Sequence, residues 1–161
     1  TPIKSSAASD VYKRQMIDRL YEASQTGVRI DLIVRGICCL IPGRKYSRNI
    51  RVTRIVDTFL EHARVWYFGN GGKPKLFLGS PDWMRRNLYR RIEAVTPILD
   101  PDLKRELSDM LSIQLSDKRK ACFVDDHLRN RWKSARPQKE KVRAQYTFYE
   151  YLKSGELKVE S

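Results

Sequence analysis

The sequence predicts an α/β fold in which helices flank a mainly parallel or mixed sheet. The chain has 161 residues, of which 41% are hydrophobic, and this is ordinary for one domain with a single core. Segments with apolar residues at helical spacing alternate with short β-rich runs, an order typical of layered α/β proteins. Asp100-Pro101 also provides a helix cap and a proline at the first helical position, ahead of leucines at 103, 107, 111 and 115.

The first half of the chain is expected to contain two helices and three strands. Residues 1–15 have no clear apolar period, so we expect a loose or non-native head before a single domain at 16–161. A helix is predicted from Met16 to a glycine cap at Gly27, with a strand following at 28–34. The next elements are a helix ending near His62 and two strands joined by "GNGGKP", at 55–62, 64–68 and 75–79.

The second half is expected to alternate in the same way. Ser80-Pro81-Asp82 is a typical start for a short helix, and "RIEAVTPIL" is predicted to be a strand. The long helix after Asp100 is followed by a strand, a basic loop-like region and a last helix, at 120–124, 129–141 and 142–153.

Composition excludes several classes of function and site. No stretch approaches the ~18 apolar residues of a membrane span, and no signal peptide is visible, so a cytoplasmic location is expected. Cys38, Cys39 and Cys122 are odd in number and two are adjacent, which predicts reduced and buried thiols. No zinc spacing is present, and His127 is expected to be structural.

Positive charge dominates the composition. The formal net charge is +13, and residues 118–143 carry ten basic side chains against three acidic ones. Such a surface attracts polyanions in general, whether nucleic acid, anionic lipid or a phosphate chain.

Arg35 and His62 are the first candidate site residues. Arg35 follows the strand at 28–34 beside a glycine, a position suited to a phosphate oxygen, although a surface ion pair is the alternative. His62 lies at a helix-to-strand junction two residues before Arg64, where an imidazole beside a cation suits phosphoryl or phosphodiester chemistry. The alternative for His62 is a histidine that caps a helix end. Four further arginines at 85, 86, 90 and 91 could partly converge on one anion.

Several linked blocks together resemble the C-terminal end of the bacterial polyphosphate kinase (ATP:polyphosphate phosphotransferase) family. These blocks are "LIVRGICCLIPG", "NIRV", "IVDTFLEHARVWYFGNGG", "LGSPDWMRRNLYRRIEAVTPILDP" and "KVRAQYTFYEYL". The resemblance implies a phospholipase D-like domain, the second of two in the family's enzyme. It also implies reversible transfer of the terminal phosphoryl group of ATP to polyphosphate through a phosphohistidine, with Mg²⁺.

The resemblance assigns roles to individual residues. His62-x-Arg64 and Gly79-Ser80-x-Asp82 match the superfamily's His-x-Lys and Gly-Ser-x-Asn, with arginine for lysine and aspartate for asparagine. His62 matches the family's second active-site histidine, beside the transferred phosphate. The residues implied for the nucleotide and polyphosphate pocket are Arg35 and Arg91, and the further candidates are Arg64, Ser80, Asp82 and Arg86.

The resemblance also implies partners. The autophosphorylated histidine belongs to a preceding domain, so we expect this chain to be inactive alone and to act with N-terminal, helical and first catalytic domains. ATP, ADP and inorganic polyphosphate are the expected ligands, with no nucleic acid, in a homo-oligomeric full-length enzyme. The expected location is cytoplasmic, including the periphery of the inner membrane face.

Two other functions stay open at this stage. The chain could be a basic module that binds nucleic acid or an anionic surface without chemistry, as the charge alone allows. It could also be a phospholipase D-type phosphodiesterase, acting as a homodimer in which each chain gives one histidine.

Overall fold

Two separate sheets organise the chain. The computed structural model describes residues 4–82, 87, 90–134 and 142–154, with side chains from residue 14 onward. The chain divides into a first unit, Thr1–Arg19 with His62–Ser108, and a second unit, Leu20–Glu61 with Asp109–Ser161. The helices and strands in chain order are α1 (Lys4–Gln25), β1 (Ile30–Ile33), β2 (Ile50–Ile55), β3 (Val65–Phe68), β4 (Lys75–Gly79), β5 (Val95–Ile98), α2 (Pro101–Ser116), β6 (Ala121–Val124), β7 (Asn130–Trp132) and α3 (Ala144–Ser154).

The second unit contains a four-stranded sheet in the order β1-β2-β6-β7. β1 and β2 are parallel, with Ile30 opposite Ile50, whereas β2–β6 and β6–β7 are antiparallel. Ile50, Val52 and Ile55 of β2 are at most 5% exposed, so the central strand is buried. The core of this unit joins the sheet to α2 and α3 through the buried residues Ile55, Ile113, Ala121 and Ala144, packed against Ile33, Val142, Phe148 and Tyr151.

One buried carboxylate ties three elements of the second unit together. Asp117 is fully buried, and its Oδ1 accepts hydrogen bonds from the backbone N–H groups of residues 119, 120 and 121 at 2.7–2.9 Å. Its Oδ2 accepts the N–H of Ala144, the first residue of α3, at 2.7 Å. The side chain therefore satisfies backbone donors between α2 and β6 and at the start of α3.

The first unit contains a three-stranded antiparallel sheet in the order β3-β4-β5. The β3–β4 turn is a short 3₁₀ segment, Asn70–Gly72, in which Gly71 and Gly72 have φ angles of 61° and 88°. Positive φ costs little for glycine, which explains why "NGG" forms this turn. The predicted hairpin is thus confirmed.

The α/β class with a mixed sheet is confirmed, but the expectation of mainly parallel strands is wrong. Only β1 and β2 pair in parallel among the described strands, and the other four pairings are antiparallel. The parallel interpretation failed because β4 follows β3 through a tight turn, which enforces antiparallel pairing.

Three expectations for single segments need correction. The predicted helix at 55–62 is wrong, since Ile55 ends β2 and the residues after it form neither helix nor strand. The basic region at 129–141 is not all loop, because it contains β7, and residues 135–141 lie outside the described part. The first helix begins at Lys4 rather than near Met16, while the division at 15/16 stays a prediction.

The cysteines and the long helices complete the description. All three cysteines are free thiols, of which Cys122 is buried and Cys39 is exposed, so the expectation of three buried thiols is wrong. Among the described residues, no helix is long and apolar enough to cross a bilayer. The helix predicted after Ser80-Pro81-Asp82 falls largely outside the described residues.

Candidate functional site

The β3–β4 hairpin brings the two predicted motif halves together. Val65 at the start of β3 is opposite Leu78 near the end of β4, and the N–H of Gly79 donates to the carbonyl of Arg64 at 3.0 Å. His62-x-Arg64 therefore lies at the same end of the hairpin as Gly79-Ser80-x-Asp82, although about fifteen residues separate them along the chain.

Arg64 links the two motif halves through its side chain. Its Nε donates to Asp82 Oδ1 at 2.9 Å, and the side chain of Arg64 is only 20% exposed. The hydrogen bond to Asp82 raises the pKa of Arg64 and so favours its charged form further. Because the pair unites a cation with a carboxylate, the replacements of lysine by arginine and of asparagine by aspartate are complementary.

The same guanidinium contacts the ring of His62. Arg64 Nη1 lies 3.3 Å from Nδ1 and Nη2 lies 3.4 Å from Nε2, while Nη1 donates to the His62 carbonyl at 3.2 Å. The two ring nitrogens point away from each other in the ring plane, so one guanidinium approaches both only by lying against the ring face. Arg64 therefore fixes the imidazole orientation while His62 stays exposed to solvent.

Ser80 has a connecting role in the hairpin unit. Its hydroxyl donates to Glu93 and accepts the N–H of Ala94 at 3.1 Å, and its own N–H donates to the Ala94 carbonyl at 3.0 Å. These bonds join the end of β4 to the residues that lead into β5. The Ser80 hydroxyl is thus engaged in hydrogen bonds with Glu93 and Ala94.

Gly79 provides space for a tryptophan next to the site. A Cβ atom at this position would lie 2.7 Å from Cζ3 and 2.9 Å from Cη2 of the Trp66 indole, well inside contact distance. The glycine of the Gly-Ser pair is therefore required for packing beneath Ser80. Sequence reasoning took this glycine only as part of a motif and missed its contact with Trp66.

Arg35 and Arg91 lie on different units. Arg35 is exposed just after β1 of the second unit, and Arg91 is exposed in the first unit before β5. Neither makes a hydrogen bond or ion pair with another residue in the described ranges. Both guanidinium groups are thus free to meet an anion, and their assignment to one pocket stays a prediction. Arg85 and Arg86 lie outside the described residues.

The second histidine, His127, lies in the turn between β6 and β7. Its backbone N–H donates to Asp125 Oδ1 at 2.9 Å, and its Nε2 is 3.8 Å from Asp126 Oδ1. The hydrogen bonds that Asp125 accepts from the turn and from nearby arginines hold the pKa of its carboxyl well below the ordinary value.

The residues around His62 do not by themselves fit a bound Mg²⁺ ion. Mg²⁺ is usually held by one or two carboxylates together with substrate phosphates. The carboxylates of the hairpin site already accept from Arg64 and Ser80, through Asp82 and Glu93 respectively. No group of three His, Cys, Asp or Glu side chains converges within the described part of the chain. We therefore assign no step of the chemistry to a metal held by this chain.

Sequence reasoning missed three residues that hold the chain just before His62. Asp57 pairs with Arg143, and Gln145 hydrogen-bonds the backbone of Phe59. Arg143 belongs to the basic region of the sequence. No local pattern predicts its contact with Asp57, which lies 86 positions earlier in the chain.

Comparisons with known proteins identify a family for this chain. Residues 7–145 match the family model described as "Polyphosphate kinase C-terminal domain 2". The polyphosphate kinase of Escherichia coli K12 is 48% identical over 149 residues, which cover 92% of this chain and 22% of that protein. The polyphosphate kinase of Synechocystis is 57% identical over 108 residues, which cover 66% of this chain and 15% of that protein.

A solved structure supports the same assignment at the level of the fold. The crystal structure of the polyphosphate kinase from Porphyromonas gingivalis matches with a TM-score of 0.83 and 57% sequence identity. The match covers 88% of this chain and 22% of that one, so the chain spans about a fifth of the length of such relatives. The fold is accordingly of the phospholipase D-like α/β class, and the chain belongs to the polyphosphate kinase family, as its C-terminal domain.

Proposed function

We propose that this domain supplies His62 and a set of cations to the active site of a polyphosphate kinase. The proposed reaction is the reversible transfer of the terminal phosphoryl group of ATP to polyphosphate through a phosphohistidine. The observation that carries the proposal is the hairpin end, where Asp82 holds Arg64 and Arg64 holds the exposed ring of His62. Membership in the family supports the choice of substrates.

The proposed reaction has two steps, and in each step one bond to phosphorus forms and another breaks. A histidine nitrogen of the preceding domain attacks the terminal phosphorus of ATP, so that an N–P bond forms and the P–O bond to ADP breaks. A terminal oxygen of polyphosphate then attacks the same phosphorus, and the N–P bond breaks. Because the transferred group spreads charge over three oxygens, fixed cations and positioning provide most of the catalysis.

Each named residue has a part in this proposal. His62 is the proposed catalytic residue and lies beside the transferred phosphate, while Arg64 and Asp82 fix its ring. Arg35 and Arg91 bind phosphate oxygens of ATP or polyphosphate, as their exposed guanidinium groups, without a partner among the described residues, permit. Ser80 supports the hairpin, and Arg86 is retained as a further phosphate ligand.

The rest of the enzyme is part of the proposal. We infer that the nucleophilic histidine, the N-terminal domain and the helical domain lie elsewhere in a longer, homo-oligomeric kinase that uses Mg²⁺. On this view the isolated chain binds polyphosphate but does not turn it over. The proposed location is cytoplasmic, including the inner face of the membrane.

A titration of the chain with polyphosphate tests the binding residues. Arg35→Ala and Arg91→Ala should each weaken binding about tenfold, as expected for the loss of a charge-assisted hydrogen bond. Arg105→Ala removes the same charge from an exposed ion pair with Asp102 and serves as the matched control. Equal effects of all three substitutions, or tighter binding to duplex DNA of equal charge, would instead favour a general polyanion-binding module.

A further inference from the structure

The segment that leads into His62 has no secondary structure of its own. Residues 57–61 lie in the connection between β2 and β3, which runs from 56 to 64, and His62 follows them directly. Phe59 and Leu60 are 61% and 67% exposed, so apolar burial does not hold the segment in place. Phe59 makes one ring contact, with Tyr146 at 6.1 Å between centroids, and hydrogen bonds to other elements provide the remaining contacts of the segment.

Arg143 holds the beginning of this segment. Its Nε and Nη2 donate to the two carboxylate oxygens of Asp57 at 2.8 and 2.6 Å, and Nη2 also donates to Thr58 Oγ1 at 2.9 Å. The Asp57 side chain is only 2% exposed, and the hydrogen bond from Arg143 lowers its pKa. The guanidinium also lies over the Tyr146 ring, 4.1 Å from its centroid. An arginine that makes two hydrogen bonds to one carboxylate and also stacks on a ring is held in one orientation, and this fixes the position of Asp57.

Gln145 holds the end of the segment. The Phe59 N–H donates to its Oε1 at 2.8 Å, and its Nε2 donates back to the Phe59 carbonyl at 2.7 Å. The same Nε2 lies 3.2 Å from Glu61 Oε1, while Gln114 of α2 donates to the other Glu61 oxygen at 2.9 Å. Gln145 is only 8% exposed, so these bonds are shielded from water. Both the backbone at Phe59 and the side chain at Glu61 are thereby fixed.

We propose that Arg143 and Gln145 are positioning residues that fix the backbone leading to His62. The inference rests on the proposed function, because it presumes that the place of the His62 ring matters. Glu61 and His62 are joined by one peptide bond, with about 3.8 Å between their Cα atoms, so a shift of the Glu61 backbone also moves the backbone of His62. A displacement of about 1 Å at a reacting group can cost about 100-fold in rate.

The test uses a hybrid kinase, in which this chain replaces the region that it matches in the Porphyromonas gingivalis enzyme. Gln145→Glu keeps the size of the side chain and the acceptor for the Phe59 N–H, but it removes the donor and places two carboxylates together at Glu61. We expect kcat to fall at least about tenfold, while the KM values for ATP and polyphosphate change less than about twofold. Gln25→Glu, on an exposed face of α1, is the matched control and should leave both parameters unchanged.

Arg143→Lys tests the other contact in the same hybrid. The ammonium can still pair with Asp57 but cannot also keep the bond to Thr58, so kcat should fall less than in Gln145→Glu. A kcat within about twofold of the unaltered hybrid for Gln145→Glu, with His62→Ala inactive, would overturn the positioning role and leave the proposed function standing. A His62→Ala hybrid of normal rate would overturn the proposed function instead.

A second measurement uses the isolated chain and needs no turnover. The ¹H and ¹⁵N signals of the His62 ring should shift in Gln145→Glu and stay in place in Gln25→Glu, measured at a temperature where both variants are folded. If the His62 signals did not shift in the Gln145→Glu chain, the positioning role would be contradicted, regardless of the kcat of the hybrid.

Discussion

Arg64 makes two contacts that a lysine could not make together. Its guanidinium donates to Asp82 through Nε and contacts the His62 ring through both Nη atoms. A lysine ammonium is a single compact centre, which can approach only one of these partners closely. The two departures from the phospholipase D pattern, at positions 64 and 82, therefore form one ion pair in this chain.

Gly79 gives a prediction about packing beneath the site. Gly79→Ala should destabilise the chain by about 2 kcal/mol, because the new methyl group overlaps the Trp66 indole. Urea unfolding measures this cost, which should shrink in a Trp66→Leu background. Gly69→Ala is the control, since Gly69 has a φ of −63° and no atom within 4 Å of the added Cβ. Equal midpoints for the two alanine variants would refute the packing argument.

Local sequence signals predicted the elements that begin or end at a capping residue or a glycine turn. Asp100 Oδ1 accepts the N–H groups of residues 102 and 103 at 2.9 Å, as the cap predicted for α2 requires. The glycines of "NGG" likewise predicted the β3–β4 turn. His62 and Arg64 were candidates from their position in the chain, whereas Ser80 and Asp82 became candidates only through the family resemblance. The hairpin brings the four residues together through the pairing of β3 with β4.

The elements that sequence missed depend on distant partners. Ile55, Val56, Phe59 and Leu60 imitate a helical repeat, yet Ile55 is buried in β2 and the two last residues are exposed. β2 is defined by pairing with β1 and β6, which single-segment periodicity cannot reveal. The contacts of Arg143 and Gln145 with residues 57–61 were missed for the same reason.

Asp117 gives a prediction about how elements are joined. Asp117→Ala leaves four backbone N–H groups without their acceptor and should cost about 3 kcal/mol of unfolding free energy. Asp117→Asn keeps one acceptor oxygen and should cost about half as much. The exposed Asp102→Ala is the control and should change stability by less than about 0.5 kcal/mol. If urea unfolding gave the two alanine variants the same stability, Asp117 would not join α2, β6 and α3 as described.

At the scale of the whole molecule, the chain matches one part of larger polyphosphate kinases. It spans about a fifth of its relatives' length and carries a net charge of +13, which suits the binding of a long polyanion. Arg35 lies in the second unit and Arg91 in the first, and each is an exposed cation.

The most direct test of the central claim is the initial rate of polyphosphate synthesis from ATP in the hybrid kinase with His62→Ala. We expect a loss of at least about 100-fold, while His127→Ala, which removes the chain's other histidine, leaves the rate unchanged. A His62→Ala rate within about threefold of the unaltered hybrid would contradict the claim that this domain supplies a catalytic histidine.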